Sequence, residues 1–299
     1  MKNKLKLLSL LVFSSLSITG CYVDLGFIKI GQKDDQNSTD DFYDEEAQNA
    51  HILEYYSSID SSSSGTALLS SLYSLNMKKR TKQVGYNNMG SNASGMFKYT
   101  DYDPATAKRN SSGVPYGTKI LSFYSGKSVT TFDREHVWPA SRLTGGREGN
   151  VVDDDIFMPR PTASEENQAR GNSVYVTGMD SSSAGWDPVT VFSSTLGVYE
   201  GIRGECARIV FYCMTCDDSL VLNDNTSNSG NNMGKITNLI EWACENPVNS
   251  REKRRNVGGE YLQGNRNAFV DHPEYACKIW GNTNSATRSA CQKANYPVK

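Results

Sequence analysis

The hydrophobic pattern changes period several times along the 299-residue chain, and each change predicts an element. An apolar run from Leu7 to Ile18 follows Lys2, Lys4 and Lys6. It falls short of the ~20 residues that a spanning helix needs, so it predicts an export signal. Residues 31–50 are polar and acidic without an apolar period, the pattern of a solvated tether. Leu68, Leu69, Leu72 and Tyr73 recur at helical spacing. Residues 85–118 are rich in Gly, Asn, Ser, Tyr and Asp and predict short strands and turns. Val129 to Val137 reads as a strand stopped by Pro139, and Ile156 to Met158 as a second short strand after a Gly-containing loop over 143–155. Thr162-Ala163-Ser164-Glu165 fits a capping box with Thr162 as N-cap, opening a helix that Gly171 ends. Val174 to Thr177 suggests another strand. Helices are predicted over 205–216, over 236–244 ahead of Pro247, and near 250–262 and 272–280. No repeat is visible, and no other apolar run reaches the ~18 residues of a membrane span. Three parts are predicted: a signal over 1–20, a tether over 21–50, and one mixed α+β body over 51–299.

The formal charge of −2 hides an asymmetry. Residues 21–46 hold eight acids against two bases, whereas 47–299 carries 26 bases and 25 acids. Acidity sits in the tether and the body is near neutral. Nucleic-acid binders are more usually basic, so net charge argues mildly against one and only local clustering can support it. Six cysteines follow Cys21: Cys206, Cys213, Cys216, Cys244, Cys277 and Cys291. An even number in an exported chain suggests disulfides. Cys213-x-x-Cys216 has no second C-x-x-C and no nearby His, which disfavours zinc. On a helix Cys206 and Cys213 share a face, so burial or long-range disulfides fit better than a redox pair.

The stretch from Asp133 to Asn172 carries the chemistry. Asp-Arg-Glu-His-Val-Trp-Pro occupies 133–139, and Phe-Met-Pro-Arg-Pro-Thr-Ala-Ser-Glu-Glu-Asn-Gln-Ala-Arg-Gly-Asn occupies 157–172. The order reads strand, loop, strand, capped helix, with Glu135 and His136 on the first element and Asn167 on the last. Hydrolysing a phosphodiester requires a water to lose a proton as it attacks phosphorus, and negative charge on the phosphoryl and leaving oxygens to be stabilised. Neutral imidazole suits the first task, and a positioned general base contributes about 10²–10⁴-fold. A hard divalent ion such as Mg²⁺ suits the second. It prefers oxygen ligands and keeps several waters, so one carboxylate (Glu135) and one amide oxygen (Asn167) are enough. Arginines nearby would grip phosphate oxygens bidentately. Adjacent residues of a regular strand face opposite sides, so the strand is predicted to bend, bulge or end at Glu135-His136.

These residues resemble the endonuclease I family of His-Me finger (ββα-metal) nucleases. The family pattern is Glu-His-Val-x-Pro, a loop, a Pro, an Asn six positions later, then Arg and Asn. Here it is matched by Glu135-His136-Val137, Pro139, Pro161, Asn167, Arg170 and Asn172. Glu205-Cys206-Ala207-Arg208 with Phe211-Tyr212 is similar to the family's Gly-Asp-x-Ala-Arg helix. Arg254-Arg255-Asn256, Gln263-Gly264-Asn265-Arg266-Asn267, Phe269 and Asp271-His272-Pro273-Glu274 are similar to its C-terminal signature, so the likeness runs from Tyr55 to Trp280. The resemblance implies a ββα-metal motif packed among helices and an endonuclease acting on DNA or RNA with little sequence preference. It implies His136 as general base, and one divalent ion on Glu135 and Asn167, Mg²⁺ with Mn²⁺ or Ca²⁺ as alternatives, leaving 5′-phosphate ends. Arg170, Asn172, Arg208 and Arg254 are the candidate substrate contacts. Departures are Ala243 after Trp242, where the family usually has His, and Cys206 before Ala207. No single residue matches the family's arginine on the scissile phosphate, which leaves Arg142, Arg147 and Arg170.

Ile18-Thr19-Gly20-Cys21 resembles the lipobox of bacterial lipoproteins. That implies cleavage before Cys21, lipid attachment to it, and an exported protein anchored at the cell surface or the periplasmic face of a bacterial membrane. Other features weigh towards plainer roles: His51 as a solvent-exposed residue at the tether's end, His272 as structural, and Asp153-Asp154-Asp155 as a solvated turn rather than a Ca²⁺ site. Arg254-Arg255 and Lys78-Lys79-Arg80 fit a phosphate patch and a helix surface equally. Two competing classes stand beside the enzyme: an inactive polymer-binding lipoprotein of the same fold, and a thiol-redox lipoprotein built on Cys213 and Cys216. The oligomeric state is left open.

Overall fold

A computed structural model describes residues 42–147, 149–181, 185–192, 197–224 and 230–298. The predicted export signal, Cys21 and the tether as far as Asp41 lie outside the described residues. The helices are α1 (Glu45–Tyr55), α2 (Gly65–Lys79), α3 (Tyr86–Met89), α4 (Ser164–Arg170), α5 (Pro188–Phe192), α6 (Ile202–Cys213), α7 (Ile236–Glu245), α8 (Ser250–Gln263), α9 (Ala268–Asp271), α10 (Glu274–Trp280) and α11 (Ser285–Lys293). Strands come in pairs. Antiparallel are β1 (Lys108–Arg109) with β2 (Pro115–Tyr116), β3 (Ile120–Leu121) with β4 (Ser128–Val129), β5 (Asp133–His136) with β6 (Pro159–Thr162), and β7 (Asp180–Ser181) with β8 (Gly185–Trp186). β9 (Val221–Asn223) and β10 (Asn232–Lys235) are parallel. The fold is α+β, as the sequence predicts. No described helix is long and apolar enough to cross a membrane.

No strand among the described residues exceeds four residues, so helices supply most of the burial. α6 is buried from Gly204 through Cys213 and packs against α7 and α9. α7 turns Ile236, Leu239, Ile240, Trp242 and Ala243 inward. α8 starts with a reciprocal capping box between Asn249 and Glu252 and ends at Gly264, whose φ of 92° suits glycine. Its buried side is polar and mostly charged rather than apolar: Arg251, Glu252, Arg254 and Arg255, with the neutral Asn256. Their partners are buried too. Asp101 receives Arg160 and Arg255, Arg160 also reaches Glu205, and Glu252 takes the Arg208 fork. Buried charges persist only when paired in this way.

Several expected elements differ. Residues 45–50, read as tether, are the first turns of α1. Asp44 caps that helix, Glu45 lies 3.2 Å from Lys253, and Gln48 accepts from Arg266 at 3.2 Å. His51 is held at 2.7 Å by Glu260. The predicted strand over 129–137 breaks into β4 and β5. The second strand is Pro159–Thr162 rather than Ile156–Met158, although it contains two prolines. The N-cap of α4 is Ala163, because Thr162 still belongs to β6 and its hydroxyl turns back to the Arg160 carbonyl. Over 174–177 only Tyr175 makes strand-like bridges, to Trp186 and Gly234. Cys277 and Cys291 form a disulfide, while Cys206, Cys213 and Cys216 are buried free thiols. Burial therefore accounts for the Cys213-x-x-Cys216 spacing.

Candidate active site

β5, β6 and α4 form a ββα unit. The ladder pairs Asp133 with Thr162, Arg134 with Pro161, Glu135 with Arg160 and His136 with Pro159. The strand ends at His136, as expected, but without a bulge. Glu135 and His136 consequently face opposite sides. Asp133 and Glu135 look towards α4, and Arg134 and His136 look away from it.

On the α4 side Glu135 is 1% exposed. The Tyr124 hydroxyl donates to its Oε1 at 2.7 Å, and Arg170 Nη1 lies 3.3 Å from the same oxygen. Burial pushes the Glu135 carboxyl up, against the Arg170 charge and the Tyr124 hydrogen bond. Asn167 is half-buried one turn before Arg170 and donates to Asp133 Oδ2 at 3.2 Å. Asp133 is thus a carboxylate of this face that the sequence reading missed. Its signal was the i, i+2 spacing to Glu135.

On the other side His136 Nε2 donates to Asp153 Oδ1 at 2.6 Å, which leaves Nδ1 as the nitrogen able to take a proton. The imidazole stacks on Tyr86 with ring centroids 5.0 Å apart. The same Tyr86 ring carries the guanidinium groups of Arg134 at 3.7 Å and Arg147 at 4.2 Å. Arg147 Nε lies 3.6 Å from Asp153 Oδ1, and its side chain remains 50% exposed. Asp153-Asp154-Asp155 is not a solvated run. Asp153 orients His136, Asp154 accepts from the Tyr86 backbone N–H at 2.8 Å, and Asp155 is buried against Arg80, Tyr212 and Gln263.

The candidate substrate contacts separate sharply. Arg170 is 1% exposed and donates to the carbonyls of His136 at 2.7 Å and Val137 at 2.8 Å, pinning the chain just beyond β5. Its i−4 neighbour Glu166 is also buried and accepts from Ser122, so the two form no surface ion pair. Arg208 is consumed by its buried bidentate pair with Glu252 at 2.5 and 2.7 Å, and Arg254 is buried over the Tyr102 ring. Both side chains are buried in this arrangement. Asn172 is exposed, and its backbone carbonyl accepts from Arg142. Arg142 is itself buried, donating to the Asn172 and Asn232 carbonyls. Of the three arginines considered for the scissile phosphate, Arg147 alone stands exposed beside His136. His272 stacks on Tyr275 at 4.6 Å and lies 3.2 Å from Glu274.

Asp133, Glu135 and Asn167 offer two carboxylates and an amide oxygen on one face of β5. That donor set fits a hard divalent cation such as Mg²⁺, Mn²⁺ or Ca²⁺ rather than a thiophilic one. The Asn167 amide presents its oxygen instead of its nitrogen after a simple flip. Arg170 is the charge that presently balances Glu135.

The sequence matches endonuclease I over residues 67–274. It is 34% identical over 239 residues to an extracellular ribonuclease of Bacillus amyloliquefaciens, covering 74% of this chain and 76% of that one. It is 36% identical over 173 residues to an extracellular ribonuclease of Bacillus subtilis (strain 168), covering 52% of this chain and 56% of that one. Both the extent of the family match and the first of these relatives lead to one conclusion: the chain belongs to the endonuclease I family.

Proposed function

We propose that this nuclease hydrolyses phosphodiester bonds within RNA and DNA chains, with His136 as general base. The observation that carries the reading is the His136–Asp153 pair beside the exposed Arg147. Asp153 holds the imidazole by Nε2, so Nδ1 accepts the proton of the attacking water. Arg147, and Arg134 over the same tyrosine with its Nη1 donating to the Tyr86 carbonyl at 2.9 Å, offer guanidinium groups for phosphate oxygens. Arg170 fixes the backbone of His136 and Val137, so the base is held by its main chain as well as its ring. Glu135 and Asn167, with Asp133 beside them, would hold a divalent cation on the face of β5 opposite His136, so base and ion would meet one phosphodiester where it rounds the end of the strand at His136. Such an ion, when bound, stabilises charge developing on the phosphoryl and leaving oxygens. The extracellular ribonuclease relatives favour RNA as a substrate and export as the chain's fate. Attachment through a lipid on Cys21 is the form of export that the sequence supports.

The test is degradation of RNA and plasmid DNA by the purified chain with Mg²⁺, with chelator, and as His136→Ala. Metal-dependent cleavage that falls at least about 10²-fold in the variant supports the reading. Cleavage that survives His136→Ala removes the histidine from the mechanism. A folded chain that cuts neither polymer with any hard divalent ion is an inactive member of the family.

A further inference from the structure

One segment of the nearly neutral body carries four surface cations against a single surface acid. Between residues 96 and 119, Lys98, Lys108, Arg109 and Lys119 all reach the surface, at least in part. The acids of this segment are Asp101, buried in the arginine network, and Asp103, which caps the turn at Ala105. Three tyrosines are interleaved with these cations. Tyr99 lies 6.1 Å from Tyr116 and 5.2 Å from Tyr261, ring to ring. Lys98 Nζ sits 5.3 Å over the Tyr99 ring, and Lys108 is the cross-strand partner of Tyr116. Tyr261 projects from α8 with 42% of its surface exposed, and its hydroxyl accepts from Asn110 at 3.3 Å. The nearest acid of α8, Glu260, is already engaged by His51 and Arg266.

We propose that Tyr99, Tyr116 and Tyr261, with Lys98 and Lys108, form a platform that holds single-stranded polynucleotide outside the catalytic centre. The proposal rests on polynucleotide being the substrate. Aromatic faces set among cations suit single strands, because every base has a π-face to stack and every linkage has a phosphate to pair. In a duplex the bases are not free to stack on side chains.

The platform is also fastened to the centre. The single-turn helix Met96–Tyr99, which carries Tyr99, packs on α3, which carries Tyr86. The approach is so close that a Cβ on Gly95 would fall 2.1 Å from the Met89 carbonyl oxygen and 2.8 Å from Gly90 Cα. The element that carries Tyr99 is therefore packed directly on the one that carries Tyr86.

The test uses the full chain carrying His136→Ala, so that RNA is bound but not cut, and a fluorescein-labelled single-stranded RNA followed by anisotropy. Tyr261→Ala is expected to weaken binding by about five- to a hundredfold, the value of one stacked base, and Tyr261→Phe to restore it. Lys108→Ala is expected to weaken binding and to flatten its salt dependence. Unlabelled duplex RNA should compete poorly. If Tyr261→Ala and Lys108→Ala bind as tightly as their parent at an unchanged melting temperature, the platform does not exist. That failure is separate from failure of the catalytic reading, which shows as cleavage surviving His136→Ala in an otherwise native chain.

Discussion

His136 and Asp153 are 17 positions apart in sequence, yet Nε2 and Oδ1 meet at 2.6 Å. The loop between β5 and β6 brings the carboxylate back to the imidazole, and Asn150 shapes that return by accepting from the Val152 N–H at 2.8 Å. A base held at one nitrogen has its tautomer and ring orientation fixed. Asp153→Ala is therefore expected to lower turnover at least about tenfold, but by less than the 10²–10⁴-fold expected for His136→Ala. Steady-state cleavage of RNA by the two variants checks this. Equal turnover in Asp153→Ala and wild type would mean that the carboxylate does not position the base.

Arg142 and Arg147 make a second contrast. Arg142 is 3% exposed and its guanidinium serves two backbone carbonyls, whereas the Arg147 side chain is 50% exposed above Tyr86. Arg147→Ala is expected to reduce kcat/KM by about 10- to 150-fold, the value of a charge-assisted hydrogen bond, with the melting temperature unchanged. Arg142→Ala is expected to destabilise the fold by about 1–3 kcal/mol through its stranded carbonyls. Thermal melts and cleavage assays on both variants separate the roles, and a reversed pattern would exchange them.

The buried charge network makes stability depend on acid. Burial alone would raise the Asp101 carboxyl, but Arg160, Arg255 and Arg251 overcome it and hold the group below its usual range. A carboxylate depressed in the folded state contributes stability that is fully present above its unfolded pKa, near 3.9, and is lost as pH falls through the folded value. Acid unfolding followed by circular dichroism should therefore lose stability below about pH 4. Asp101→Asn should lower the unfolding free energy at neutral pH by about 3–5 kcal/mol, because it leaves guanidinium groups buried without their counter-charge. An unfolding free energy within about 1 kcal/mol of wild type, the effect of an ordinary substitution, would mean that water reaches the network.

The sequence made parts of this arrangement legible and hid others for physical reasons. α2, α6 and α7 follow from apolar spacing because they bury apolar faces. α8 was legible only as a helix, since the side it buries is polar and mostly charged and its pairing partners Asp101 and Arg208 come from distant elements. β6 was misplaced by three residues because Pro159 and Pro161 argue against a strand, although each still offers a carbonyl; Phe123 N–H takes that of Pro161 at 2.9 Å. Glu135, His136 and Asn167 stood out by motif. Asp153 did not, because a triple Asp in a loop looks solvated until the loop's return path is known. The burial of Arg208 and Arg254 was hidden for the converse reason: an arginine's surroundings are a tertiary fact.

Cys244 presents the last test. Its Sγ lies 3.6 Å from that of Cys277, whose disulfide to Cys291 ties α10 to α11 across 14 positions. Removing Cys291 leaves two thiols already in contact, so Cys291→Ser is expected to acquire a Cys244–Cys277 bond in air. Burial, with Glu245 adding to it and Arg208 opposing, pushes the Cys244 thiol up to about 11. The thiolate that must react is scarce at neutral pH, so pairing should be slow there and quicken as pH rises. Alkylation of the native protein followed by non-reducing peptide mapping identifies the bond. Cys244→Ser should keep Cys277–Cys291, and the double variant Cys244→Ser/Cys291→Ser should lose about 3 kcal/mol of stability, the value of a closed loop of this size. Free, alkylated Cys244 and Cys277 in the Cys291→Ser protein after prolonged oxidation would mean that the helices hold the two sulfurs in an orientation that cannot bond.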